Sequence, residues 1–475
     1  MTTPGTSVTS AQPSIPSTNG APDRSEVSLR PEFAQPGELS SIPRLELAEA
    51  MLPASTAYQL VHDELMLDHG TRLNLATFVG TWMEPQARIL IEECLDRNIV
   101  DRDECPQTAE LERRCLSILA DLWHSPEARE PTGCSTTGSS EACMLGGLAL
   151  KWRWRERRKA AGKSTDRPNL VMGANVQICW EKFCRYWDIE PRKMPLEPGR
   201  TCLTADAAAS LCDENTIGVL AILGSTFDGS YEPVAEISRA LDGLKVRTGL
   251  DVPIHVDAAS GGFVAPFLDP ELEWDFRLPR VQSINASGHK YGLVYPNLGW
   301  VIWRDADGLP EDLRFNVNYL GGTTPTFSLN FSRAAFPVIA QYYTMVRLGH
   351  EGFRRVQLAC RDTARWLAEE IMAMGRFVLL GDGSTIPVLA FRLADDVQHY
   401  SVFDISELLR LHRWQVPGYT LPANLQDTAV LRMVIRNGFG RDLAQLVAQD
   451  LRRVTDQLDQ AGPLPPHGRR TSFHH

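Results

Sequence analysis

Short apolar runs recur along the middle of the chain, separated by longer stretches with apolar residues at three and four spacing. The runs at 170–173, 217–223, 254–256, 281–285 and 300–303 are mostly apolar. Strands covered on both faces read this way, because helices on either side leave no solvent-facing positions. Helical spacing fills the gaps, for example at 141–159 and 234–246. This alternation predicts an α/β fold with a mostly parallel sheet covered by helices. Before it, helical patterns cover 57–68, 87–98 and 109–123. After it, a long helix is expected from 341 past 351 toward 374. Strand patterns at 377–380, 388–392 and 431–435, with helices near 405–412 and 442–458, then predict a smaller α+β domain.

The expected organisation is an arm over residues 1–50, a helical segment over 51–72 and a large domain over 73–345. A small C-terminal domain over 346–461 and a flexible tail over 462–475 complete it. The arm is rich in Ser, Thr, Pro and Gly, too poor in large apolar groups to offset the entropy of ordering. It is expected to be disordered or loosely draped. At 475 residues the chain suits two domains that share a core. Lys and Arg number 48 against 59 Asp and Glu, a net charge of −11, so no nucleic acid partner is expected. No apolar run reaches the ~18 residues of a membrane helix, so no membrane span is expected either. The N-terminal stretch lacks the basic start and apolar run of a secretory signal, and the ten cysteines form no C-x-x-C. A cytoplasmic chain with free, mostly buried thiols is the expectation.

Three motifs mislead. Ala161-Gly162-Lys163-Ser164 resembles the end of a phosphate-binding loop, but Arg157 stands where that loop needs a glycine. His350-Glu351 opens like a zinc motif, yet Arg354 replaces the second ligand, and no metal is expected. The basic run KWRWRERRKAAGK continues an apolar helix, with Trp inward and Arg outward as the simpler account.

Four segments carry chemistry. In HVDAASGGF, Asp257 ends an apolar strand, where ligands bind in open α/β sheets. In SINASGHKYG, Lys290 follows Ser287, Gly288 and His289 after the next strand, placed to form a Schiff base with an aldehyde. An acid and a lysine on adjacent strands are what pyridoxal phosphate needs: one partner for the ring nitrogen, one for the aldehyde. In TTGSSEACMLGG, Gly138, Ser139 and Ser140 precede a helix whose N-terminal amides suit a phosphate. Thr226 in GSTFDGSYEP again lies just past a strand.

With these segments in this order, the sequence resembles the pyridoxal-phosphate-dependent glutamate decarboxylases of bacterial and plant type, within the group II amino-acid decarboxylases. The resemblance runs from about residue 57 to 458 and is carried by LNLATF, GSSEACMLGGLALKWRWR, DENTIGV, HVDAASGGF, SINASGHKYG, FNVNYLGG and the NFSR that follows. It implies the fold type I, PLP-dependent transferase-like architecture. It also implies a carboxy-lyase that turns L-glutamate into 4-aminobutanoate and carbon dioxide, through an aldimine at Lys290 and a quinonoid intermediate. By position, Asp257 would be the pyridinium partner, with Gln177 over one ring face and Ala259 over the other. Ser139, Ser140, Ser287 and His289 would hold the phosphate, with Ser332 donated by a neighbouring subunit, and Thr226 would contact the phenolic oxygen region. Thr77 and Phe78 would meet the substrate's distal carboxylate, with Asn98 and Asp101 reaching in from the partner chain. Arg432 would grip the α-carboxylate region, and Tyr319 and Leu320 would lie on a covering loop.

Such sharing implies a homo-oligomer, at least a dimer, with a hexamer suggested by bacterial relatives. Those relatives also carry a penultimate histidine in a tail that blocks the site at neutral pH, and His474 occupies the matching place. Decarboxylation consumes a proton, which links the reaction to acid resistance. The sequence departs from the family pattern in LDHGTR before LNLATF and in TTPT after Gly322. No basic tryptophan-bearing stretch follows Leu458, so no calmodulin-binding extension is expected. The alternatives are a decarboxylase of the same fold for another amino acid, an aminotransferase, or an inactive scaffold. Thr77, Asn98 and Asp101 match acidic-substrate positions, and Gln177 stands where aromatic-amino-acid enzymes usually have histidine. Intact Lys290 and Asp257 disfavour the scaffold.

Overall fold

Apolar runs without a solvent face assemble into a single seven-stranded sheet. The computed structural model describes residues 45–47, 51–100, 102–317 and 324–462. The strands are β1 (Gly133–Thr136), β2 (Asn169–Gly173), β3 (Glu190–Met194), β4 (Thr216–Ile222), β5 (Ile254–Asp257), β6 (Val281–Ala286) and β7 (Gly299–Trp303). Their order is β1-β7-β6-β5-β4-β2-β3, and β7 alone runs antiparallel to its neighbours. β2, β4, β5 and β7 are buried along their whole length, as their composition requires. Val171, Val219 and Val256 join one core with Trp123, Phe263 and Trp274, while Leu170, Met172 and Ile222 pack against Trp154, Trp180 and Phe183. Burying each such large side chain contributes roughly 1.5–3 kcal/mol.

Strands β1 and β3 were not expected. β3 reads Glu-Pro-Arg-Lys-Met, and its charges and proline are tolerated because it forms the sheet edge. β1 is short and carries Ser135 and Thr136, whose polarity hides it in the sequence. The helix expected over 87–98 spans only Pro85–Glu92. The chain then leaves the helix so that the Ile99 amide donates to the Arg333 carbonyl at 3.0 Å.

The chain divides after His69 into two units. In the first, the helix Ala54–Leu65 starts after Pro53 and leaves Tyr58, Val61 and Leu65 exposed. In the second, the helix Phe336–Ala373 is broken at Gly349, whose φ of 55° only glycine adopts at low cost. Ahead of Gly349 it packs on the helix Pro106–Leu122, and beyond it on a small antiparallel sheet. Strands β8 (Phe315–Val317) and β9 (Thr324–Thr326) form a ribbon on either side of residues 318–323.

The small sheet holds β10 (Phe377–Asp382), β11 (Val388–Leu393), β12 (Gly418–Thr420) and β13 (Ala429–Val434) in the order β10-β11-β13-β12. The helices Val402–Leu411 and Arg441–Ala461 cover it, the first opened by a reciprocal Ser401–Asp404 cap. Leu75, fully buried, belongs to this core although it lies far away in sequence. Its amide donates to the Gln415 carbonyl and its carbonyl accepts from Val434, both at 2.9 Å. Residues 74–79 are thereby fastened beside the C-terminal edge of the large sheet. Among the described residues, no helix is long and apolar enough to cross a membrane.

Candidate active site

The parallel strands end on one edge of the large sheet, and polar residues gather there. β5 ends in Asp257, β6 leads through Ser287 and His289 to Lys290, and Thr226 follows β4. Asp257 is 5 % exposed and held on both oxygens. Asn285 Nδ2 and the Ala259 amide donate to Oδ1 at 3.0 and 3.1 Å. The Trp180 indole N–H donates to Oδ2 at 2.8 Å, with the Cys143 thiol 3.7 Å away. These donors fix the carboxylate's plane.

Lys290 is half-buried, its Nζ 3.3 Å from Ser260 Oγ and 4.9 Å from the centre of the Phe78 ring. Burial holds its ammonium below the usual lysine range, opposed by the Asp257 carboxylate. A lysine in this setting yields its proton readily and becomes a nucleophile.

Beside it lies an anion cradle. Ser287 Oγ donates to Ser139 Oγ at 2.7 Å, at the first residue of the helix Ser139–Ala160. His289 Nδ1 accepts from the Leu298 amide at 3.0 Å, which leaves its proton on Nε2, free to donate. Burial, assisted by the Lys290 charge, brings the His289 pKa down to about 4, so the ring is neutral at ordinary pH. A Cβ on Gly138 would sit 3.0 Å from His289, so only glycine lets the helix start approach this closely. Ser140 is exposed.

On the other side, Arg432 of β13 donates through Nη1 to the Thr226 carbonyl at 2.6 Å and through Nη2 to the Ala76 carbonyl. Its guanidinium lies 5.2 Å from the Phe78 ring centre, and its buried Nε has no partner among the described residues. Arg436 clamps the same segment through the carbonyls of Thr71, Asn74 and Val79. Thr77 Oγ1 accepts from the Val79 amide at 3.0 Å.

Gln177 Oε1 caps the helix Ile178–Tyr186 by accepting from Cys179 N at 2.6 Å. Asn98 and Ser332 are brought together elsewhere: Asn98 Nδ2 donates to Ser332 Oγ at 3.4 Å, and its Oδ1 accepts from Arg333 N at 3.1 Å. Asp101, Tyr319, Leu320 and His474 lie outside the described residues. Sequence reasoning missed Trp180, Asn285, Ser260 and Arg436. Asn285 is the register partner of Asp257 on the adjacent strand, a signal available only once the strands are paired.

The sulfurs of Cys143 and Cys179 and an Asp257 oxygen converge within 4.8 Å. Burial pushes the Cys143 thiol well above its usual range, so it stays protonated and offers the carboxylate S–H instead of a thiolate for metal. The donor set suits a ring nitrogen at Asp257, an aldehyde at Lys290 and a phosphate at Ser139, Ser287 and His289. The residues fit pyridoxal phosphate.

Comparison with known proteins agrees. Residues 49–394 match the pyridoxal-dependent decarboxylase conserved domain. The chain is 53% identical over 418 residues to a glutamate decarboxylase of Aliivibrio fischeri, covering 88% of this chain and 90% of the relative. It is 50% identical to glutamate decarboxylase 1 of Arabidopsis thaliana, covering 93% and 88%. A solved glutamate decarboxylase structure from Lactobacillus brevis superposes with a TM-score of 0.88 at 46% identity, covering 92% of this chain and 100% of that one. A sphingosine-1-phosphate lyase of Burkholderia pseudomallei shares the fold, with a TM-score of 0.74 at 20% identity over 90% of this chain and 95% of that one.

Proposed function

The chain belongs to the pyridoxal-dependent decarboxylase family, and from that premise we infer that it converts L-glutamate to 4-aminobutanoate and carbon dioxide with pyridoxal phosphate as cofactor. The observation that carries the reading is the convergence of Lys290 Nζ and the Arg432 guanidinium on one Phe78 ring, above a carboxylate fixed by Asn285 and Trp180. When bound, pyridoxal phosphate supplies an aldehyde that condenses with amines and a ring that draws electrons from the α-carbon.

The roles assigned to the chain's own residues follow from their settings. Lys290 would hold the aldehyde, its ammonium kept below the usual lysine range by burial so that the amine is available as a nucleophile. Asp257 would be the partner of the ring nitrogen and would favour its protonated form. Ser139, Ser140, Ser287 and neutral His289 hold the phosphate, while Gln177 and Ala259 confine the ring and Thr226 meets its phenolic oxygen. Arg432 orients the substrate through its α-carboxylate region, supported by its unpartnered buried Nε–H. Orientation selects the reaction, because only a bond held perpendicular to the ring plane is weakened. Thr77 and Phe78 receive the distal carboxylate.

Asn98, Asp101 and Ser332 act across a boundary between copies, so the working unit is at least a dimer. In support, Asn98 and Ser332 form one patch bonded within itself. The family resemblance assigns Tyr319 and Leu320 to a covering loop and His474 to a tail that would close the site while its imidazole is neutral. The cytoplasm is the assigned location, supported by ten free cysteines. Each turnover consumes a proton, which suits a role in acid resistance.

The test is a product assay on purified protein with added pyridoxal phosphate. Release of 4-aminobutanoate from glutamate, with borohydride fixing the cofactor on Lys290, is the expected result. Turnover of aspartate at a comparable rate, or a label on another lysine, would overturn the assignment.

A further inference from the structure

Beneath Asp257 lies a buried row of polar side chains that the reaction as described does not use. β5 and β6 are parallel neighbours, and their register pairs His255 with Ser283 and Asp257 with Asn285. Alternation along a strand puts each pair on the same face. His255, Ser283 and Asn285 are each at most 1 % exposed. His255 Nδ1 lies 2.7 Å from Ser283 Oγ and its Nε2 lies 2.8 Å from Asn285 Oδ1, while Asn285 Nδ2 reaches Asp257 Oδ1 at 3.0 Å.

Burial disfavours a charged His255 ring, and for a neutral ring only one arrangement of hydrogens satisfies this row. The carboxylate oxygen accepts, so the Asn285 amide must turn its NH2 toward Asp257 and its oxygen toward His255. An oxygen facing His255 requires a proton on Nε2. Nδ1 is then an acceptor, and the Ser283 hydroxyl must donate to it. The ring has no freedom to tilt away from this chain. Trp180 packs edge-on against it at 5.1 Å while donating its own N–H to the other Asp257 oxygen. On the helix Ser139–Ala160, a Cβ on Gly146 would lie 2.4 Å from His255 Cε1, so glycine is what lets the ring fit.

We propose that His255 is a positioning residue for the cofactor: locked as the neutral Nε2–H tautomer, it fixes the Asn285 amide, which holds the Asp257 carboxylate in the orientation that would meet the pyridine nitrogen. The inference rests on the reading of Asp257 as the ring-nitrogen partner. Removing the ring nitrogens frees Asn285 to turn its amide, and a turned amide sets oxygen against oxygen at Asp257. The loss is felt at the ring nitrogen, far from the glutamate carboxylates. It therefore lowers cofactor affinity and kcat and leaves KM for glutamate in place.

Cofactor binding is measured by fluorescence titration of full-length cofactor-free protein with pyridoxal phosphate, for the wild type, His255→Phe, Asn285→Ala and the double variant. His255→Phe keeps an aromatic ring but removes both nitrogens, and it is expected to weaken binding at least about tenfold, the effect of leaving a buried amide oxygen unmatched. If the two residues act in one chain, the double variant binds no worse than Asn285→Ala alone. Losses that multiply, or unchanged affinity in His255→Phe, would overturn the proposal. Nitrogen-15 NMR of the histidine-labelled wild type needs no variant: the Nε2–H form is expected at His255, and the Nδ1–H form or a charged ring at pH 7 would overturn it. A wild type that binds no pyridoxal phosphate at all would instead overturn the functional reading beneath it.

Discussion

The floor of the site and its rim are built differently. The floor is two adjacent strands and one helix start, and its carboxylate is matched within the fold: Asp257 is held by Asn285, Ala259 and Trp180. The rim is assembled from segments distant in sequence. Phe78 comes from a stretch fastened to the small sheet, Arg432 from β13, and the Arg432 Nε–H is left unmatched. A carboxylate oriented in advance costs little to organise when the cofactor arrives. On the proposed reading the unmatched Arg432 donor would take its last hydrogen bond from the substrate's carboxylate, which would tie the organisation of the rim to the substrate.

The sharpest way to break the comparison is at the point where floor and rim meet. Lys290→Ala is expected to abolish turnover and the borohydride label, while circular dichroism stays that of the wild type. Nζ touches Ser260 and the Phe78 ring but closes no core, so little packing is lost. Activity above background in this variant would remove Lys290 from the chemistry.

This difference also explains what could be read from the sequence. The central strands were legible because burial on both faces leaves no polar positions, as along 217–222. β3 was not, because an edge strand is free to carry Glu190, Arg192 and Lys193. Asp257, Ser287 and Lys290 were legible as polar residues just past apolar runs. His255, Asn285 and Trp180 were hidden, since each reads as an ordinary strand or helix residue until register and packing bring them under Asp257. Arg436 was hidden for the same reason, its partners being backbone carbonyls more than 350 residues away.

At the rim, Arg432→Lys tests the unmatched donor. A lysine ammonium cannot span the Thr226 and Ala76 carbonyls and still present a planar N–H to a carboxylate. KM for glutamate is expected to rise about tenfold, the worth of a charged hydrogen bond, with cofactor affinity nearly unchanged. A loss of cofactor affinity with KM unaltered would place Arg432 in the floor.

At the floor, the test is pH. Burial lowers the pKa of both His255 and His289 to about 4. The unfolded chain takes up these protons near pH 6.5, before the folded one does. The native state therefore loses nothing above that value, weakens as pH falls through it, and stops weakening near pH 4. In urea unfolding of the cofactor-free protein, each histidine should therefore contribute about 2 kcal/mol less stability at pH 5 than at pH 7.5, while buried Glu232, its carboxyl pushed up to about 7, contributes in the opposite sense over the same window. The wild type minus His255→Phe difference isolates one histidine: relative to the variant, the wild type should lose about 2 kcal/mol between pH 7.5 and pH 5, and an equal pH dependence in the two would remove His255 from it.

The smallest effect on folding separates a phosphate cradle built within one chain from one shared between copies. Ser332 is exposed and accepts a long 3.4 Å hydrogen bond from Asn98. Within its own chain that contact is worth no more than about 0.5 kcal/mol, so Ser332→Ala should barely move the unfolding midpoint. If Ser332 serves the phosphate of a neighbouring copy, the same change removes a hydrogen bond to a charged group, and pyridoxal phosphate affinity should fall about tenfold. Mixing then locates the effect. Inactive Lys290→Ala chains that keep Ser332, combined with Ser332→Ala chains that keep Lys290, should form hybrid dimers in which the intact lysine site receives an intact serine from its partner. Recovery of wild-type cofactor affinity in those hybrids is expected. Affinity that stays low in the hybrids would mean that Ser332 acts only within its own chain, and the cradle would then be self-contained.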